Sequence, residues 1–188
     1  EGTFLVGTGA TGSAVIIPGV GFYGLCALRL TLTGSGGQLV SLSNLFPRPA
    51  ASPVGIEVCF RRGSASPIFT VALNYGISAS VVGWLARVNL QTGAVYYQTD
   101  AGVWVLLGTF LVSVEYPDPW HIMKLVGNPL TGAYKRIILD GVEYPLTEVM
   151  SLTGAVYDGI YPMLFLQNAG VGSVGLDIDS LILTANEP

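Results

Sequence analysis

The sequence predicts an all-β fold, a two-sheet antiparallel jelly-roll sandwich. No window of a dozen residues places apolar side chains at i, i+3, i+4 and i+7, so no amphipathic helix is expected. Short runs rich in Val, Ile, Leu, Tyr and Thr recur instead, separated by many of the chain's 25 glycines and 11 prolines. That is how strands joined by tight turns read. About a dozen such runs fall roughly 8–15 residues apart, the rhythm of a sandwich or barrel.

The elements follow in order. Residues 1–20 carry no charge after Glu1 and are rich in Gly and Thr. They form either an edge strand or an arm that pairs with a neighbouring subunit by strand addition. Residues 21–188 are expected to make one sandwich domain. Leu25–Thr33 sets Cys26, Leu28, Leu30 and Leu32 against Arg29, Thr31 and Thr33, a period of two. A Pro-rich linker, Phe46 to Pro53, precedes a strand over Gly55–Arg61. Strands over Ile68–Tyr75, Val82–Leu90, Val95–Thr99 and Val103–Leu107 come next. Gln91-Thr92-Gly93 and Asp100-Ala101-Gly102 join the last three into an antiparallel meander, with Gly supplying the positive φ that short hairpin loops need. A second hairpin runs from Trp120–Val126 across Gly127–Gly132 into Tyr134–Leu139. Asp140-Gly141 turns it into Val142–Pro145. Tyr161–Gln167 and Val174–Thr184 are the closing strands.

Composition limits the function classes. A chain of 188 residues makes one domain. Only 11% of residues are charged, against about 25% in an ordinary soluble domain. Net charge is −4 with eight Lys plus Arg, which argues against a protein that tracks nucleic-acid phosphates. Ala101–Val114 is the longest strongly apolar run and is too short for a spanning helix, which needs about 20 residues. Many strands look apolar on both faces, unlike the lipid-out, polar-in alternation of a membrane barrel. Cys26 and Cys59 fall on opposite strand parities, which favours free thiols.

Trp120-His121-Ile122-Met123-Lys124-Leu125-Val126, a loop, then Ile137-Ile138-Leu139-Asp140-Gly141 resembles the W-H-x-(I/V)-K-(L/V)-V … L-x-(V/I)-D-G hairpin of the concanavalin A-like lectin/glucanase superfamily, including laminin-G-like domains. The closing stretch Val174–Thr184 is similar to the last strand of such sandwiches and of carbohydrate-binding modules. The resemblance implies a jelly roll in which the Trp opens a core strand and Asp-Gly makes a type I′ turn. The Glu-x-Asp-x-x-Glu motif of the glycosidase branch is missing, and so is the Asp/Asn metal loop of the legume lectins.

Catalytic signals are sparse. Glu57, Glu115, Asp118, Glu143 and Glu148 are scattered singly, so no catalytic carboxylate pair is expected. The single histidine, His121, lies by alternation on the face of Met123 and Leu125, and no Gly-x-Ser-x-Gly elbow accompanies it. Two cysteines and one histidine do not make a zinc site. Asp177 and Asp179, at i and i+2, are the one carboxylate pair on a single strand face. They could begin a Ca²⁺ shell, to be completed by Glu1 or a loop carbonyl, or simply be solvent-facing charges on an edge. Trp84, Tyr97 and Trp104 lie on neighbouring strands of the meander, and Tyr96 and Tyr97 take opposite faces. Tyr96, Gln98, Trp104 and Arg87 are the candidate ligand platform, an apolar ring surface with a polar rim. The same residues also fit plain cross-strand packing.

Low charge and many glycines lead to the first functional expectation. It is a non-enzymatic structural subunit of an extracellular, cell-surface or virion assembly, with copies of itself or other subunits as partners. The second is a carbohydrate-binding module with a glycan on the Tyr96/Trp104 platform and possible Ca²⁺. A glycoside hydrolase or lyase is third. No nucleic acid and no membrane span are expected.

Overall fold

The computed structural model describes residues 5–8, 12–24, 26–33, 39–47, 53–64, 67–77, 80–112, 119–151, 153–154, 158–168 and 172–187. Among them there is no helix, hence none long and apolar enough to cross a membrane. The strands are Leu5–Thr8 (β1), Gly12–Pro18 (β2), Cys26–Thr33 (β3), Leu39–Ser43 (β4), Val54–Ser64 (β5), Pro67–Ile77 (β6), Ser80–Asn89 (β7) and Ala94–Gln98 (β8). They continue with Trp104–Thr109 (β9), His121–Gly127 (β10), Tyr134–Leu139 (β11), Val142–Pro145 (β12), Thr153–Gly154 (β13), Gly159–Asn168 (β14) and Ser173–Ala185 (β15). Sheet A runs β1-β4-β14-β6-β7-β8-β9, with β13 beside β7, and sheet B runs β12-β11-β10-β5-β15-β3-β2. The fold is an all-β sandwich of two antiparallel sheets, as the turn-and-strand rhythm predicts.

Alternation builds the core. From β7, Val82, Trp84, Ala86 and Val88 point inward and are fully buried, while Leu85, Arg87 and Asn89 between them are not. From sheet B, Ile56, Val58 and Phe60 of β5 and Met123 and Leu125 of β10 meet them. The rings of Phe60 and Phe69 lie 4.8 Å apart and join the two layers. Each such side chain stabilises the fold by about 1.5–3 kcal/mol through burial.

Two buried aromatic groups lock the hairpin β10–β11 onto the meander. Trp84 Nε1 donates to the Gly132 carbonyl at 2.9 Å. The Tyr134 hydroxyl accepts from the Leu85 N–H at 2.7 Å. It also lies 2.9 Å from the Gln98 carbonyl and 3.1 Å from that of Leu85, one of which takes its proton. A phenol at this spot satisfies strand ends that no ladder partner reaches. Burial drives its pKa well above the usual phenol value, so it stays a neutral donor.

The Asp140-Gly141 turn has φ of 51° and 81°, the two positive values that a type I′ hairpin requires. Asp140 also accepts from Ile122 N–H at 2.9 Å and sits 2.7 Å from His121 Nδ1. His121 faces inward beside Phe60 and Phe110, on the side its parity predicts. Trp120 corrects an expectation. It precedes β10 rather than opening the core, and its ring lies on the outer side of sheet B, 4.8 Å beneath the Arg61 guanidinium and 6.2 Å from Phe22. The tryptophan of the core is Trp84.

β1 pairs with β4 at one edge of sheet A, and β2 pairs with β3 at one edge of sheet B. The N-terminal segment therefore supplies an edge strand to each layer. Cys26 is exposed and Cys59 is buried, and both are free thiols. Burial, with help from the nearby carboxylates Asp179, Glu57 and Asp140, pushes the Cys59 thiol up to about 12.

Candidate functional site

The outer face of sheet A is where half-buried side chains gather. The ladder registers align Phe165 of β14, Thr70 of β6, Arg87 of β7, Tyr96 of β8 and Leu106 of β9 in one row across five strands. Row members share a face because pairing in register preserves side-chain parity. Trp104 sits opposite Gln98, one diagonal step from Tyr96 and two strands away from Arg87.

The Arg87 guanidinium lies over the Trp104 ring at 3.7 Å from its centroid, and its Nε donates to Thr70 Oγ1 at 3.3 Å. Stacking at a half-buried position contributes roughly 0.5–2 kcal/mol and holds both groups flat. Ile68, Arg87, Asn89, Tyr96 and Trp104 line one cleft of about 130 Å³. Burial lowers the Arg87 pKa, with the neighbouring Tyr96 acting the other way, and a guanidinium stays charged through such a shift. Asn89 Oδ1 accepts from the N–H groups of Gln91 and Thr92 at 2.9 and 3.3 Å. That leaves its amide nitrogen for the cleft.

Of the expected platform residues, the structure brings Tyr96, Trp104 and Arg87 together. Gln98 stands beside Trp104, but its amide donates to the Gly102 carbonyl at 3.2 Å, and it does not line the cleft. Tyr97 faces the core, edge-on to Tyr134 at 5.7 Å. Ile68 and Asn89, which line the cleft, and Thr70, which holds Arg87 from beside it, were not legible. Their signal is the β6–β7 register, in which Ile77 pairs with Ser80 and the ladder then carries Thr70 to Arg87 and Ile68 to Asn89. At the far end of the meander Asp100 accepts from the N–H and the hydroxyl of Ser151, both at 2.6 Å. Those bonds hold its carboxyl below the usual range.

Asp177 and Asp179 take different partners. The ladder to β5 slips between Ile178 and Ser180, so Asp179 is the extra residue of a bulge. Asp177 is fully buried. Arg29 grips it through Nε at 2.6 Å and Nη2 at 2.8 Å, and Arg61 Nε reaches it at 3.1 Å. The Asp177 hydrogen bond, against the opposing effect of burial, raises the Arg29 pKa. Asp179 accepts from the Tyr23 N–H at 3.0 Å. Two guanidiniums occupy the Asp177 carboxylate, which makes Arg29, Asp177 and Arg61 a structural clamp across β3, β15 and β5. Among the described residues no group of three or more His, Cys, Asp or Glu side chains converges as metal ligands would. Glu115 and Asp118 lie outside the described residues.

A second depression of about 260 Å³, lined by Phe46, Pro47, Ile160, Leu183, Thr184 and Ala185, carries no charged group and offers little to orient a polar ligand.

No family model matches the chain, and no curated protein matches its sequence. Solved structures do match in shape. An endo-β-1,4-glucuronan lyase from the fungus Trichoderma reesei superposes with a TM-score of 0.63 at 12% identity, over 96% of this chain and 90% of the lyase. A sialidase gives 0.62 at 8% identity, over 98% of this chain. Botulinum neurotoxin type C, which depends on two ganglioside molecules to get into cells, gives 0.58 at 13% identity, over the whole of this chain. This chain spans 17% of the sialidase and 44% of the toxin chain. At these identities the likeness shows the sandwich fold alone.

Proposed function

We propose that the chain is a non-enzymatic, concanavalin A-like glycan-binding module of an extracellular or virion-surface protein. The stacked Arg87–Trp104 pair beside Tyr96 carries the proposal. It presents rigid rings for the apolar face of a sugar, with donors at the rim for its hydroxyls. A cleft of about 130 Å³ is well below the roughly 300–1,000 Å³ that engulfs a drug-sized ligand. It therefore grips one ring of an extended chain while the rest lies across the open sheet. Neighbours of the same shape that act on or interact with carbohydrate support the reading. Among the described residues no facing carboxylate pair lines the cleft, which is why a glycosidase reading ranks below it.

On a glycan array followed by calorimetry, the wild-type chain is expected to bind at least one glycan class. Trp104→Ala should weaken that binding by roughly 30-fold, about 2 kcal/mol, as expected for a central aromatic anchor. Unchanged affinity in this variant would contradict the assignment.

Self-association is the second reading, favoured by Val15 and Ile16, which stand 57% and 69% exposed on the edge strand β2. Such an edge pairs readily with another chain. If it does, light scattering at micromolar concentration reports an oligomer that Ile16→Lys dissociates, and a monomer in both variants removes this reading.

A further inference from the structure

Among the described residues, Arg87 is the one charged group that lines the cleft, in the company of Ile68, Asn89, Tyr96 and Trp104. Four other cations of the sandwich contrast with it. Arg29 and Arg61 are neutralised by Asp177, and Lys124 and Arg136 by Glu187. Among the described residues no carboxylate pairs with Arg87; its polar contact is Nε to Thr70 Oγ1. The guanidinium is half-buried, stacked on Trp104 at 3.7 Å, and its Nη donors have no hydrogen-bond partner among the described residues. Withdrawing a cation from water without a counter-charge is costly. The arrangement is pre-organised for an anion, because a flat guanidinium with its outer N–H groups unengaged matches a carboxylate in a two-pronged grip. The rest of the rim agrees. The Asn89 oxygen is engaged by the Gln91 and Thr92 amides, so Asn89 contributes a donor. A neutral sugar hydroxyl would accept one hydrogen bond and leave the charge uncompensated.

We infer that this cleft takes an acidic glycan, a chain carrying sugar carboxylates, with Arg87 as the residue that selects the acid. The inference rests on the glycan-binding reading of the same cleft and adds the ligand's charge to it. Trp104 supplies the stacking surface common to any sugar ring, and Arg87 supplies discrimination.

Matched pairs test it. Oligomers of β-1,4-linked glucuronate and of galacturonate are titrated against the wild-type chain, each beside its carboxyl-reduced neutral counterpart of equal length. A sulfated neutral oligosaccharide serves as a third probe. The wild type is expected to prefer the carboxylate form by roughly tenfold or more, the range of a charge-assisted pair, and raising salt should erode that preference. Arg87→Gln should remove the preference, so that acidic and neutral chains bind this variant equally. Arg87→Lys should restore part of it. Thermal melts confirm that the variants fold. Equal, Trp104-dependent binding of neutral and acidic chains overturns the inference and leaves the glycan-binding reading standing. A carboxylate preference that survives in Arg87→Gln overturns the role of Arg87, and a preference for the sulfated probe alone overturns the carboxylate. No binding of any sugar overturns the inference and the reading beneath it together.

Discussion

Gly127→Ala is expected to melt roughly 10 °C below the wild type. A Cβ at this position would lie 2.6 Å from Cε3 of Trp84, and closer still to Cδ2 and Cε2. The indole cannot withdraw, because it is fully buried and its Nε1 is held by the Gly132 carbonyl at 2.9 Å. Gly127 also takes its place in the ladders to β5 and β11, so the backbone resists moving as well. Overpacking in a closed core costs typically 1–3 kcal/mol, and this site belongs at the upper end. About 3 kcal/mol in a domain of this size shifts the midpoint by roughly 6–12 °C. Gly24→Ala is the control, since its added Cβ meets nothing within 4 Å, and it should melt within a degree or two of the wild type. In the Trp84→Leu/Gly127→Ala double variant the loss should be smaller than the sum of the two single-variant losses, the signature of residues in direct contact. A Gly127→Ala chain as stable as wild type would mean that the two sheets are not packed as described.

Asp177→Ala is the second large effect. The carboxylate is fully buried, and three strands meet on it through Arg29 and Arg61. Removing it leaves two guanidiniums facing each other with no anion between them. Losing one partner of a buried pair costs about 3–5 kcal/mol. Here the Arg29 side chain is 39% exposed and that of Arg61 16%, so solvent screens part of the penalty, and the expected loss is about 2–3 kcal/mol in urea unfolding. The triple variant Arg29→Met/Arg61→Met/Asp177→Leu should recover most of it, because well-packed apolar groups replace buried ion pairs at little cost. A single Asp177→Ala change that leaves stability untouched would rule out the clamp.

Much of this architecture was legible because local signals agreed. The meander β7–β8–β9 shows alternation in each strand and glycine in each turn, and Gly93 and Gly102 do adopt positive φ. Parity alone put Tyr96 on the face opposite Tyr97 and beside Arg87 and Trp104. What was missed depends on partners far away in sequence. β4 owes its place to β14, as in the Ser43–Met163 pairing, and nothing near Leu39 announces that. The bulge at Asp179 exists only relative to β5, and nothing near Asp179 in the sequence announces it. Trp120 sits just ahead of its strand, where alternation does not govern direction, and its ring took the outer side. Ile68 and Asn89 enter the cleft through the β6–β7 register, which alternation within the meander does not reveal.

The three tryptophans stand in three different environments, and this permits a direct test of where a ligand binds. Trp84 is in the core, Trp104 lines the cleft on sheet A, and Trp120 flanks Arg61 on the outer side of sheet B. With 5-fluorotryptophan incorporated, fluorine NMR during titration with the best-binding glycan should shift the Trp104 resonance to saturation. The Trp84 and Trp120 resonances should stay in place. A Trp120 resonance that moves while that of Trp104 does not would place the ligand on the opposite sheet and contradict the account.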